Sequence, residues 1–216
     1  MAKQMKIYLD FDDTVLDTGA FVGELVRVFN SVGFTEKDFF DNYEKTKKKV
    51  GDFDLDTIFN LFVSAGDFDA RAVRKKIDTL FANMDVFVHD DFFDFAKEFG
   101  RDNLAILSFG TTPSQRAKIE NSKIVPYFSE VIVTPKSKEE NFREIAKDRR
   151  GEEIFFVEDK ADQIDLVKGA VPEIIAMKIE RPTGRYLDSK SELADHIVKD
   201  FYDVGKIVKD KLQNKG

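Results

Sequence analysis

The chain has 216 residues, 42% hydrophobic and 35% charged, with a formal net charge of -7. That is the composition of a globular protein of one or two domains, and its acidic balance argues against a nucleic-acid backbone as the main partner. The absence of cysteine excludes disulfides, thiolate zinc sites and cysteine nucleophiles, and two histidines, His89 and His196, are a poor basis for a histidine metal site or a Ser-His-Asp triad.

The first apolar run, Lys6 to Leu9, ends in Asp10 and reads as a strand. A turn-rich piece from Asp12 to Gly19 follows. From Ala20 to about Leu80 the spacing predicts helices. Phe21, Leu25, Val28 and Phe29 share one face, as do Ile58, Phe59, Leu61 and Phe62, and then Val73, Ile77 and Leu80. Gly33, Gly51 and Gly66 read as helix stops. The 22 phenylalanines fall largely at such spacings, which points to core packing. Phe92 to Phe99 is another helix, closed by Gly100.

The pattern then changes. Short apolar runs at Leu104 to Leu107, Val131 to Val133, Ile154 to Val157 and Glu173 to Met177 alternate with helical stretches at Ser114 to Asn121, Lys138 to Arg149 and Asp162 to Gly169. This alternation predicts an α/β fold: a Rossmann-like, mostly parallel sheet with helices on both faces. The expected division is an α/β core of residues 1–17 and 91–216, with an inserted α-helical domain over 18–90. The lysine-rich end, Lys206 to Gly216, reads as a solvated helix end or frayed tail. The N-terminus carries no apolar run long enough for a signal peptide, and no stretch approaches a membrane span, so no membrane association and a cytoplasmic location are expected.

In an open parallel sheet, ligands bind beyond the carboxyl ends of the strands. Asp10 and Asp12, Ser108, Thr134, and Glu158 with Asp159 stand at those ends, and Lys136 and Lys138 follow Thr134 closely. Each acid or hydroxyl, taken singly, reads as a turn or helix cap. Together they place four carboxylates in one crevice, where mutual repulsion calls for a cation. An all-oxygen donor set favours magnesium over zinc.

These residues resemble the haloacid dehalogenase-like superfamily. Ile7 to Val15, reading Ile-Tyr-Leu-Asp-Phe-Asp-Asp-Thr-Val, resembles its first motif, an apolar strand followed by Asp-x-Asp-x-Thr. Leu104 to Ser108 resembles the second. Lys136, six residues before Phe142, resembles the third, with Lys138 and Lys118 as alternatives. Ile154 to Asp159 resembles the fourth, in its adjacent-acid form. The sequence departs from the pattern at Asp13, where glycine is common, and in the fourth motif, where Gln163 stands in place of a further Asp.

The resemblance implies a phosphatase with a helical cap that closes over the site. Asp10 is the expected nucleophile, forming an aspartyl-phosphate, and Asp12 the acid and then base. Ser108 and Lys136 are expected to bind the phosphoryl oxygens. Magnesium is expected on an Asp10 side-chain oxygen, the Asp12 backbone carbonyl and Asp159, with Glu158 a weaker candidate and Asp162 a third. Thr14 is expected to order the turn by hydrogen bonding. Arg71 and Arg74 in the insertion are possible partners of an anionic substrate, or plain helix surface. The expected substrate is a small phosphorylated metabolite. A phosphotransferase or sugar phosphate mutase on the same site, and a non-catalytic binding or regulatory protein, remain as alternatives.

Overall fold

The computed structural model describes residues 4–111, 113–149 and 151–213. In chain order the elements are β1 (Met5–Leu9), α1 (Thr18–Asn30), α2 (Glu36–Val50), α3 (Leu55–Ala65), α4 (Ala70–Ala82), α5 (Asp90–Phe99), β2 (Leu104–Phe109), α6 (Pro113–Asn121), β3 (Glu130–Thr134), α7 (Lys138–Asp148), β4 (Glu153–Glu158), α8 (Ala161–Ala170), β5 (Ile175–Ile179), β6 (His196–Val198) and α9 (Phe201–Gln213). They form two compact units. One comprises residues 1–18, 88–109 and 125–216, the other 19–87 and 110–124.

The first unit is built on a parallel sheet of order β3-β2-β1-β4-β5-β6. Its central strands are apolar on both faces through their middles because both faces are covered. Tyr8, Ala105, Leu107, Ile154, Phe156 and Ala176 pack with Phe142 of α7 and Ile164 and Val167 of α8. Residues of the opposite parity, Ile7, Leu9, Ile106, Phe155 and Val157, are equally buried. The order changes direction at β1, between β2 and β4. The carboxyl ends of those strands therefore form the crevice expected of a doubly wound sheet.

The ends of the sheet differ from the sequence expectation. The fourth apolar run begins as a turn off α8, with the Ile174 N–H bonded to Val171 O at 3.2 Å, so β5 starts two residues later than read and continues to Ile179. Lys178 lies inside it, fully buried, with its ammonium on Glu180 and the Tyr186 carbonyl. β6 is a three-residue edge strand that carries no readable pattern. The lysine-rich end is the exposed face of α9, whose Val204 and Val208 are buried; residues 214–216 lie outside the described residues.

The second unit gathers the phenylalanines of the insertion. Phe29 stacks on Phe62 at 3.9 Å, and Phe34 meets Phe62 edge-on at 4.6 Å. Gly51 closes α2 at φ 83°, a left-handed position that lets its N–H reach Lys47 O. Helix α6 groups with this unit, whereas the sequence reading keeps it with the α/β core. Here the Thr111 N–H donates to Asp52 at 3.0 Å and Ser114 Oγ to Asp54 at 3.2 Å. Arg74 is engaged by Asp56 and Asp78 within the unit. Among the described residues no helix is long and apolar enough to cross a membrane.

Phe142, fully buried and 4.7 Å from Phe156, ties α7 to the sheet. Phe142→Ala is expected to cost about 3–5 kcal/mol, read as a lowered urea midpoint at unchanged slope.

Candidate active site

Asp10 continues β1 into the crevice, its N–H bonded to Val157 O at 2.9 Å. The chain then turns tightly, with the N–H groups of Val15 and Leu16 both on Phe11 O. This turn requires a left-handed residue, and Asp13 supplies it at φ 57°. Asp tolerates that conformation better than most residues, which explains how the sequence does without the usual glycine. The Asp13 carboxylate is buried and accepts from Arg185 Nε at 2.5 Å.

The hydroxyl that orders the turn is that of Thr18, not Thr14. Thr18 Oγ1 donates to Asp12 Oδ1 at 2.9 Å and accepts the Asp13 N–H at 3.1 Å. The Thr14 hydroxyl is buried without a hydrogen-bond partner, while its carbonyl accepts two bonds from Arg181. Thr18 opens α1 and so faces back along the loop; nothing in the motif itself marks it.

The segment after β5 laces this loop from outside. Arg181 pairs with Asp91 at 2.7 Å as well as with Thr14 O, Thr183 bonds Asp17 at 3.1 Å, and Arg185 takes Asp13. The Asp91 carboxylate also accepts the Phe201 N–H, so the guanidinium is part of a buried network. None of these contacts was legible in sequence, because they join residues between 90 and 172 positions apart.

Asp10, Glu158 and Asp159 each place a carboxylate oxygen within 4.8 Å of the others, and all three are buried. Lys138 Nζ donates to Asp10 Oδ1 at 2.5 Å and also to Glu158 Oε2. Burial pushes the Asp10 carboxyl up to about 6, aided by the Glu158 charge and opposed by Lys138. Burial acts on Glu158 in the same sense and is the largest single effect, but Lys138, a side-chain hydrogen bond with Asp159 and the Lys160 charge together hold that group below its ordinary value. Asp159 has no such cation. Burial and the adjacent Glu158 charge raise it to about 10, a side-chain hydrogen bond with Glu158 adds to the rise, and no other group among the described residues bonds either of its buried oxygens.

Lys136, expected at the phosphate, is exposed and pairs with Glu144 at 3.0 Å. Lys138 occupies the cluster instead. Ser137 caps α7 in a reciprocal box with Glu140, which makes Lys138 the first helical residue. Helical side chains lean toward the N-terminus, and here that direction leads into the crevice. The Ser-x-x-Glu pattern was the signal that could have separated the two lysines. Ser108 lies buried near the end of β2, two residues beyond Ile106, the partner of Leu9. Thr134 ends β3 and accepts the Lys136 N–H. Asp162 is exposed and accepts from Gln163, away from the cluster.

The donor set suits magnesium. Its atoms are all oxygens, one from each of three buried carboxylates, and no cation among the described residues bonds Asp159. Asp10, Glu158 and Asp159 are the side chains that would hold the ion.

No family model matches the sequence, and no curated protein matches it. Solved structures match it in fold. One from Burkholderia xenovorans LB400, assigned as a haloacid dehalogenase-like hydrolase, superposes with a TM-score of 0.73 at 18% identity, covering 94% of this chain and 98% of the other. The HAD-hydrolase YfnB from Bacillus subtilis, in a magnesium-bound form, gives 0.63 at 16% identity over 95% and 99%. An L-2-haloacid dehalogenase from Xanthobacter autotrophicus gives 0.64 at 13% identity over 96% and 99%. The chain therefore has the fold of the haloacid dehalogenase-like hydrolases.

A carboxyl raised by burial makes the metal-free folded chain bind more protons than the unfolded one, so its stability falls as pH rises above the ordinary carboxylate range. Magnesium is expected to raise the melting temperature at about pH 8 and less at about pH 5, where protons compete for Asp159. Asp159→Asn should raise the metal-free melting temperature at the higher pH and abolish the magnesium effect in differential scanning fluorimetry.

Proposed function

We propose that this chain is a magnesium-dependent phosphatase acting on a small phosphorylated metabolite, with Asp10 as nucleophile. The observation that carries the reading is the buried triad of Asp10, Glu158 and Asp159, with Asp10 held by Lys138 and Asp159 bonded by no cation among the described residues. The fold shared with hydrolases, among them a magnesium-bound one, supports it.

In this reading an Asp10 carboxylate oxygen attacks phosphorus and the bond to the leaving oxygen breaks. Asp12 gives its proton to that oxygen. Water then attacks the aspartyl-phosphate, passes a proton to Asp12 and frees Asp10 and inorganic phosphate. Thr18 fixes the Asp12 carboxylate for both transfers. Lys138 fixes the Asp10 carboxylate and offsets charge as the two anions meet. Ser108, at the end of β2, is the hydroxyl proposed for a phosphoryl oxygen. A bound magnesium ion would supply charge neutralisation of nucleophile and phosphoryl group.

Asp12 favours phosphate chemistry over dehalogenation. Halide departs as a stable anion and needs no proton, whereas an alkoxide does. Transfer to a second alcohol, as in a mutase, would use the same residues, and product analysis separates it from hydrolysis.

The test is phosphate release from 4-nitrophenyl phosphate with and without magnesium. Turnover is expected with the ion only, and Asp10→Asn should fall to background; wild-type turnover in that variant would overturn the assignment. Lys138→Met is expected to lower kcat about 100-fold or more. Lys136→Met should stay within about twofold of wild type, since an exposed ion pair contributes little.

A further inference from the structure

One cation at the site has no oxygen partner. Lys138 is occupied by Asp10 and Glu158, and Arg185 by Asp13. Lys160 follows Asp159 directly at the start of α8. Its Nζ makes no hydrogen bond or ion pair among the described residues, and its one side-chain contact of note is the face of Tyr186, 5.3 Å from the ring centroid. After the cost of burial, Asp10 and Glu158 exert the largest effects on it, and both favour the charged form. The Lys160 backbone N–H donates to Glu158 Oε1 at 3.1 Å, and Arg185, which shares the Tyr186 ring, holds Asp13 of the loop that follows Asp10, so the residue stands among those that flank the cluster.

The shelf beneath Lys160 is built rather than incidental. The Gly184 N–H turns the chain back onto Arg181 O at 2.8 Å. The Tyr186 carbonyl accepts from the buried Lys178 at 3.2 Å and from Ser189 Oγ at 2.7 Å. Arg185 covers the same ring at 5.6 Å. Tyr186 is therefore fixed by its backbone and flanked by two cations. An aromatic face holds an ammonium in place without using up its hydrogen bonds. The donors of Lys160 remain available to a ligand in the crevice.

We propose that Lys160 is a substrate-binding residue, its ammonium taking an anionic oxygen of the phosphorylated substrate. This rests on the phosphatase reading of the same crevice. A phosphorus atom within reach of Asp10 carries oxygens into the gap between Asp10 and Lys160. A second anionic group on the leaving part would reach the same ammonium. In both cases the chemistry recognised is an anionic oxygen, bound by a charge-assisted hydrogen bond.

The experiment compares wild type with Lys160→Met and Lys160→Arg, with magnesium present. Inorganic phosphate binding is followed by calorimetry, and KM and kcat are measured on 4-nitrophenyl phosphate and on phosphorylated carboxylic acids. If the oxygen belongs to the transferred group, Lys160→Met weakens phosphate binding and raises KM for every substrate about 10-fold. If it belongs to the leaving part, phosphate and the aryl ester are unaffected, and only phosphorylated acids lose about 10-fold in kcat/KM. Lys160→Arg should recover most of either loss, with all three proteins melting alike. Unchanged phosphate affinity together with unchanged kinetics on every substrate overturns the proposal. So does a loss that saturating magnesium restores, which would place Lys160 in the metal site alone. Wild-type activity in Asp10→Asn would sink the phosphatase reading while leaving the phosphate titration of Lys160 intact.

Discussion

The bridge from Lys138 to both Asp10 and Glu158 is the interaction on which the site depends. Two carboxylates and an ammonium are taken out of water together, and each would be costly to bury alone. The bridge joins the ends of β1 and β4, two neighbouring strands, to the first residue of α7. It leaves Asp159 as the one acid in the cluster without a cation. That arrangement crowds like charges in a resting protein and suits one that binds a divalent ion, because Asp159 offers an oxygen within 4.8 Å of those of Asp10 and Glu158.

Around this bridge the sequence between β5 and β6 acts as an outer frame. Arg181, Thr183 and Arg185 engage the carbonyl of Thr14, Asp17 and Asp13 in turn. The turn after Asp10 is short, holds a non-glycine residue at positive φ and contains a buried hydroxyl without a partner. Such a turn persists only where surrounding contacts over-determine it. The frame provides those contacts from outside the loop.

Much of the site was legible in one dimension because strand ends are legible. An apolar run that stops at Asp10, Ser108 or Glu158 marks the carboxyl edge of a parallel sheet, and the edge is where ligands bind. Lys136 and Lys138 differ by two positions, a choice that strand reasoning does not decide. The helix cap decides it, because Ser137 fixes where α7 begins. Thr18, Arg181 and Arg185 were beyond reach for another reason. Their partners are set by tertiary packing, and the connection that carries the two arginines is polar and charged and shows no periodicity. β6 escaped for want of length, and Lys178 truncated the reading of β5 because a lysine with a buried ammonium looks like a strand's end.

The two ammoniums of the crevice can be ranked by what they already hold. Lys138 has carboxylate partners on two strands, and its removal would leave Asp10 and Glu158 facing each other with their repulsion unrelieved. Its role is inseparable from the placement of Asp10. Lys160 has an aromatic ring and no oxygen, so the protein loses little internal bonding without it. A residue whose donors the fold does not use is the one whose donors a substrate can use. The site thus divides its positive charge between one group that holds Asp10 and Glu158 in place and another whose donors no described residue takes up.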